Sequence, residues 1–173
     1  MSQTFSKSRR KFVQASVAVA GSLVLPPVWG KDKADLPQLL QQSDLVYITP
    51  IKSDGEESRC QAEIWFVYFG DDIYVCTDTD SWRAAAPSKG LEQARIWVGD
   101  VGVWTSSDGR YKELPQLETT ADIIKDAEVH KQALESFGKK YPVGWLRWGS
   151  AFKDGLADGT RSLIRYRPNK PVA

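Results

Sequence analysis

The chain has 173 residues, with 23 lysines and arginines against 22 aspartates and glutamates, a single histidine and two cysteines. That size suits one domain with one core, and a charge so near balance leaves no basic stripe of the kind that holds nucleic acid or an anionic membrane surface. One histidine and two separated cysteines also exclude a clustered transition-metal site, and no serine sits in a nucleophile elbow.

Residues 1–30 read as an export leader. Lys7, Arg9, Arg10 and Lys11 come without any acid, a weakly apolar run follows from Ala15 to Leu25, and Pro26 to Gly30 offers small residues to a peptidase. The apolar run is too short to span a bilayer as a helix. The string Ser8-Arg9-Arg10-Lys11-Phe12-Val13-Gln14 resembles the twin-arginine export motif, with Val13 and Gln14 departing from its last two positions. A general secretory leader is the other reading, and either places the mature chain in the periplasm or outside the cell. The twin-arginine reading alone implies transport of a folded protein. The remaining domain, residues 31–173, holds 19 basic and 22 acidic residues.

Residues 31–42 read as a polar lead-in with a short helical turn or two. From residue 45 the chain turns to β-formers: a strand at 45–49, a turn at Asp54-Gly55, and strands at 59–69 and 73–77. Residues 64–69 are apolar or aromatic throughout, so both faces of that strand should be covered. A two-residue hairpin turn at Gly70-Asp71 pairs Phe69 with Asp72 and Trp65 with Cys76. It carries Cys60 too far away for a disulfide, so two free thiols are expected, Cys76 buried as a small apolar filler.

Residues 94–104 look like a further hairpin turning near Gly99-Asp100. Residues 120–140 have an apolar stripe of helical period through Ile123, Ile124, Ala127, Ala133, Leu134 and Phe137. A Trp-rich connection covers residues 141–152, and the last strand covers 160–167 after Asp158-Gly159. The expected architecture is a β-rich α+β fold: a split β-barrel of about six strands, with a short helix after the third strand and a long helix before the last.

The stretch from Ile64 to Gly90 carries the most information. A hairpin runs directly into Thr77-Asp78-Thr79-Asp80-Ser81-Trp82-Arg83, a strand end followed by a helix start. Thr79 or Asp80 serves as a cap on one reading, with Pro87 and Gly90 ending the helix. On the other reading the hydroxyl of Ser81 and the cation of Arg83 form an anion site suited to a cofactor phosphate.

This order of strands and the Thr-x-x-x-Ser-Trp-Arg string resemble the pyridoxamine 5′-phosphate oxidase-like split β-barrels, which include FMN and deazaflavin (F420) binders. The resemblance covers residues 45–166. It implies that Ile64, Trp65 and Phe66, with Glu63 before them, lie along a flavin ring. It further implies that Thr77, Ser81, Trp82 and Arg83 face its ribityl-phosphate arm, often across a homodimer interface. The function so implied is an exported FMN- or F420-dependent oxidoreductase acting by hydride transfer on a small molecule, with no side chain expected as acid, base or nucleophile. A non-catalytic binding module of the same fold stays open beside it, favoured by Ala84, Ala85 and Ala86 where further cations are common, and by Asp78 and Asp80. His130 reads as an exposed helix residue. Trp145 and Trp148 read as completing the core or a subunit contact rather than stacking on a planar ligand.

Overall fold

Alternation of apolar side chains along short strands builds one antiparallel sheet, and a two-residue link between its outermost strands bends it. The computed structural model describes residues 35–172; the leader assigned to residues 1–30, with its twin-arginine motif, lies outside the described residues. In chain order the elements are α1 (Leu36–Gln42), β1 (Val46–Pro50), β2 (Ala62–Ile64), β3 (Val67–Phe69), β4 (Asp72–Asp78), α2 (Trp82–Ser88), β5 (Gln93–Val98), β6 (Gln116–Ile124), α3 (Ala127–Lys140), α4 (Pro142–Asp158) and β7 (Arg161–Pro168). The sheet runs β2-β1-β5-β6-β7-β4-β3. β2 and β3 therefore occupy opposite edges although only Trp65 and Phe66 separate them in sequence. Three peptide steps reach about 11 Å at most, so the two edges must meet there and the sheet curls into a split barrel. The β-rich α+β class expected from the sequence is the observed one, with seven strands instead of about six.

Inward-facing side chains follow the strand period of two. Val46 and Ile48, Ile73 and Val75, and Ile164 and Tyr166 point into one core. The intervening residues point outward and are covered. Tyr74, Cys76 and Leu163 pack beneath α3 and α4 through Phe137, Tyr141 and Phe152. On the other side Tyr47 and Trp97 pack with Tyr111, from the loop between β5 and β6. The sequence expectation that residues 64–69 have both faces covered holds for Phe66 and Val67, which are buried; Ile64, Trp65, Tyr68 and Phe69 are half-buried.

Four sequence expectations are corrected. The run at residues 59–69 is not one strand: it breaks at Trp65–Phe66, and Trp65 does not pair with Cys76, which faces Leu163 of β7. The hairpin turn itself is as expected, Phe69 pairing with Asp72, because Gly70 and Asp71 both adopt positive φ (58° and 63°), the backbone of a tight two-residue turn. Residues 94–104 form no hairpin. Gly99 lies at φ 148° with Leu114 where a Cβ would project, and the Val98 N–H donates to the Pro115 carbonyl, so β5 joins β6 only after a loop. That loop is held by Tyr47, whose hydroxyl accepts from the Val101 N–H (2.9 Å) and donates to the Gly102 carbonyl (2.7 Å).

Residues 120–124 belong to β6 rather than to a helix. α3 starts only at Ala127, because the Asp126 carboxylate accepts from the N–H groups of Glu128 (2.9 Å) and Val129 (3.0 Å). The Trp-rich stretch after Tyr141 is a helix, α4, started by Pro142 and ended at Gly159 in the left-handed region. Its Gly144 lets Trp65 approach, since a Cβ there would run into the Trp65 ring. Both cysteines are free, Cys76 buried and Cys60 half-buried, as expected.

Tyr141, between α3 and α4, fastens the link. Its hydroxyl accepts from the Phe66 N–H (3.0 Å) and lies 2.8 Å from the Phe66 carbonyl and 2.9 Å from that of Asp44, between which its proton is shared. Its ring stacks on Trp65 at 4.5 Å. Tyr141→Phe keeps the stack and strands the buried Phe66 amide, so denaturant unfolding should show a loss of about 1–3 kcal/mol; a loss below about 0.5 kcal/mol would mean the link holds without the hydroxyl.

Candidate functional site

The break between β2 and β3 leaves Ile64 and Trp65 on the wall of a groove of about 480 Å³, closed on its other sides by β4, the start of β7 and α4. Leu45 and Glu63 stand at the β1–β2 side, Cys76, Thr77 and Asp78 come from β4, Trp148 and Phe152 from α4, and Arg161 from β7. Helical spacing puts Trp148 and Phe152 four residues apart on one face, and Trp148 is 43% exposed. The groove is thus aromatic on two walls, with Glu63, Asp78 and Arg161 as its charged residues.

The charged groups are answered locally. Glu63 accepts from the Trp104 N–H at 3.1 Å. Arg161 lies 3.3 Å from Asp78 and 5.0 Å above the Phe152 ring. Burial pushes the Cys76 thiol up to about 12, so at neutral pH it is a protonated, apolar-like filler.

The structure brings Ile64, Trp65 and Thr77 together on the groove. Phe66 instead turns into the barrel and is fully buried. Ser81, not Thr79 or Asp80, caps α2, its Oγ accepting from the Ala84 N–H at 3.3 Å. Trp82 is partly exposed beside Lys89, which lies 4.9 Å from its ring. Arg83 is 93% buried by its 7% exposure; its Nη1 donates to Thr77 Oγ1 at 3.3 Å, and Thr77 Oγ1 lies 3.4 Å from Ser81 Oγ. Among the described residues no carboxylate lies within ion-pair distance of Arg83, and its Nε has no partner. Thr77, Ser81 and Arg83 therefore form one contiguous polar cluster, with Thr77 reaching the groove.

Trp145 and Trp148 part company. Trp145 packs into the core beneath α3, as expected, whereas Trp148 lines the groove. His130 is half-buried, not exposed, and its Nε2–H donates to the Ile124 carbonyl at 2.8 Å. Phe152 and Arg161 were not singled out from the sequence. Reading residues 141–152 as a helix would have exposed the Trp148–Phe152 pair, but nothing local in the sequence marks Arg161.

The sequence matches no family model and no curated protein. The structure is similar to the heme storage protein HutZ from Vibrio cholerae, at 16% identity and a TM-score of 0.54, covering 79% of this chain and 89% of that one. It is also similar to a putative pyridoxamine 5′-phosphate oxidase from Listeria innocua, at 11% identity and a TM-score of 0.51 over 78% of this chain and 91% of that one. General Stress Protein 26 from Bacillus anthracis matches at 15% identity and a TM-score of 0.52, over 79% and 88%. At such identities the likeness is one of fold, and the fold is the split barrel of the pyridoxamine 5′-phosphate oxidase-like proteins.

Behind the groove, Lys140 Nζ lies 3.5 Å from the Phe66 ring centroid and 3.4 Å from the Leu40 carbonyl. Burial lowers its pKa to about 8. Between that value and the ordinary lysine range the unfolded chain holds a proton that the folded chain has lost, so this group adds stability as pH rises through that window. Lys140→Met removes the titration. Its stability relative to the parent should be greatest below pH 8 and fall by about 1–3 kcal/mol as pH rises to about 10. A difference independent of pH would show that Lys140 titrates normally.

Proposed function

We propose that this chain is an exported flavin-dependent oxidoreductase that holds FMN, or F420 in its place, and works as a homodimer. The observation that carries the reading is Arg83: a guanidinium buried without a carboxylate, with one nitrogen unpartnered, beside two hydroxyls. A buried charge left uncompensated is costly, and a phosphate supplies the missing anion with oxygens suited to a guanidinium fork. The residues thus fit an FMN phosphate at Thr77, Ser81 and Arg83, with Ile64 and Trp65 offering a flat apolar wall to the ring. The cofactor, when bound, supplies hydride transfer; the chain supplies position, exclusion of water and electrostatics. On this reading Trp82, partly exposed next to the Ser81 cap, meets the cofactor arm or a second copy. Export rests on the basic, apolar and small-residue order of residues 1–30 and on their likeness to the twin-arginine motif, a route that takes proteins already folded.

A heme, which the name of HutZ gives to that protein, finds less support in this groove. Cys76 is the one thiol or imidazole among its lining residues, and a thiol protonated up to about 12 is a poor iron ligand because the thiolate is the ligating form. The second reading, a non-catalytic binding module, draws on Glu63 and Asp78, whose carboxylates border the groove and repel a phosphate.

Protein purified from its host should show the visible absorbance of a flavin or deazaflavin, released on denaturation. Arg83→Gln should weaken FMN binding about 10- to 100-fold, the effect of losing a charge-assisted hydrogen bond. A colourless protein that also fails to bind added FMN or F420 would contradict the redox reading, and unchanged FMN affinity in Arg83→Gln would remove Arg83 from the site.

A further inference from the structure

The α4 side of the groove has a cation that the cofactor reading does not use. Arg161 is the only cation among the groove-lining residues. Its aliphatic stem packs against α4 where Gly155 leaves room, since a Cβ there would come within 2.7 Å of Arg161 Cγ. Its guanidinium lies 5.0 Å from the Phe152 ring, an arrangement worth more as water is excluded. Both contacts hold the head in place before any ligand arrives.

Its acidic partner is held much less firmly. The Arg161–Asp78 pair measures 3.3 Å, and the Asp78 side chain is 72% exposed, whereas Arg95 meets Glu118 at 2.7 Å and Arg165 meets Asp122 at 2.7 Å. An exposed ion pair contributes little, so exchanging Asp78 for another anion costs little. Glu63, the other groove carboxylate, already accepts from the Trp104 N–H. A preorganised cation over the Phe152 ring, with an exchangeable partner, in a groove that Trp148 also lines, defines a recognition site for one chemistry.

We propose that the groove takes a planar aromatic carboxylate as substrate, and that Arg161 reads its carboxylate by exchanging Asp78 for it. The proposal rests on the groove being the ligand site, and it adds a substrate class to the cofactor assignment. No covalent step is involved in this recognition.

The test is calorimetric titration of the full mature chain with 2-naphthoate and with 2-naphthamide, a neutral molecule of the same plane and nearly the same size. The parent protein should bind the naphthoate about tenfold more tightly than the amide. Arg161→Gln should abolish that preference while leaving amide binding in place. Asp78→Asn, at an exposed position that tolerates change, should tighten naphthoate binding several-fold, which a merely structural Arg161–Asp78 pair would not do. Equal binding of the two probes, a preference that survives Arg161→Gln, or an affinity that is unchanged or weaker in Asp78→Asn would overturn the proposal. Flavin content measured on the same samples separates the two claims. A colourless protein that prefers the naphthoate keeps Arg161 as the carboxylate reader and loses the cofactor and with it the substrate role, and a flavin-bearing protein without the preference does the reverse.

Discussion

The dominant constraint on this molecule is the length of one link. Two residues, Trp65 and Phe66, join strands at opposite edges of a seven-stranded sheet, and no flat sheet satisfies that connection. Curvature, the enclosed core and the groove at the seam all follow from it. The cost of the break is two strand ends without ladder partners, and Tyr141 offsets it by meeting both polar groups of the Phe66 peptide with one hydroxyl. The same tyrosine turns the chain from α3 into α4 and stacks on Trp65, so the helix that covers the outer face and the residue that lines the groove are positioned together.

Legibility from the sequence varied with how local the deciding physics is. The turn at Gly70-Asp71 was readable because two adjacent residues suited to positive φ decide it by themselves. The cap after β4 was readable to within two residues, since Thr79, Asp80 and Ser81 all carry suitable oxygens and only packing selects Ser81. The break at Trp65–Phe66 was not, because six consecutive apolar residues carry no internal sign of where the partner strand changes. Ile123 and Ile124 were drawn into a helical stripe although they are β-branched and pair with Ile164 and Leu163; tertiary pairing outweighs a period counted over two turns. α4 is hard to read from the sequence because Gly144, Gly149 and Gly155 lower its intrinsic helix preference. In the structure Gly144 and Gly155 serve close approaches, by Trp65 and Arg161.

The site was half legible. Ile64, Trp65 and Thr77 reach the groove, and Thr77, Ser81 and Arg83 meet in one cluster. The burial of Arg83 and its lack of a carboxylate are properties of the folded chain that no spacing reveals, and they change the argument. As a surface residue among Asp78 and Asp80 it would be a weak phosphate clamp; buried and uncompensated, it is a group whose cost of burial an anion would offset. Two cations then stand near the ligand space: Arg83, buried and linked to the groove only through Thr77, and Arg161, which lines the groove on the α4 side.

The account stands most directly on whether the buried guanidinium serves a phosphate. Titrating the purified chain, freed of any bound ligand, with FMN and with riboflavin separates the phosphate from the ring. The account predicts that FMN binds at least about tenfold more tightly, the magnitude of a charge-assisted hydrogen bond. Equal affinities, or no binding of FMN, riboflavin or F420, would contradict it and leave Arg83 as a structural cation.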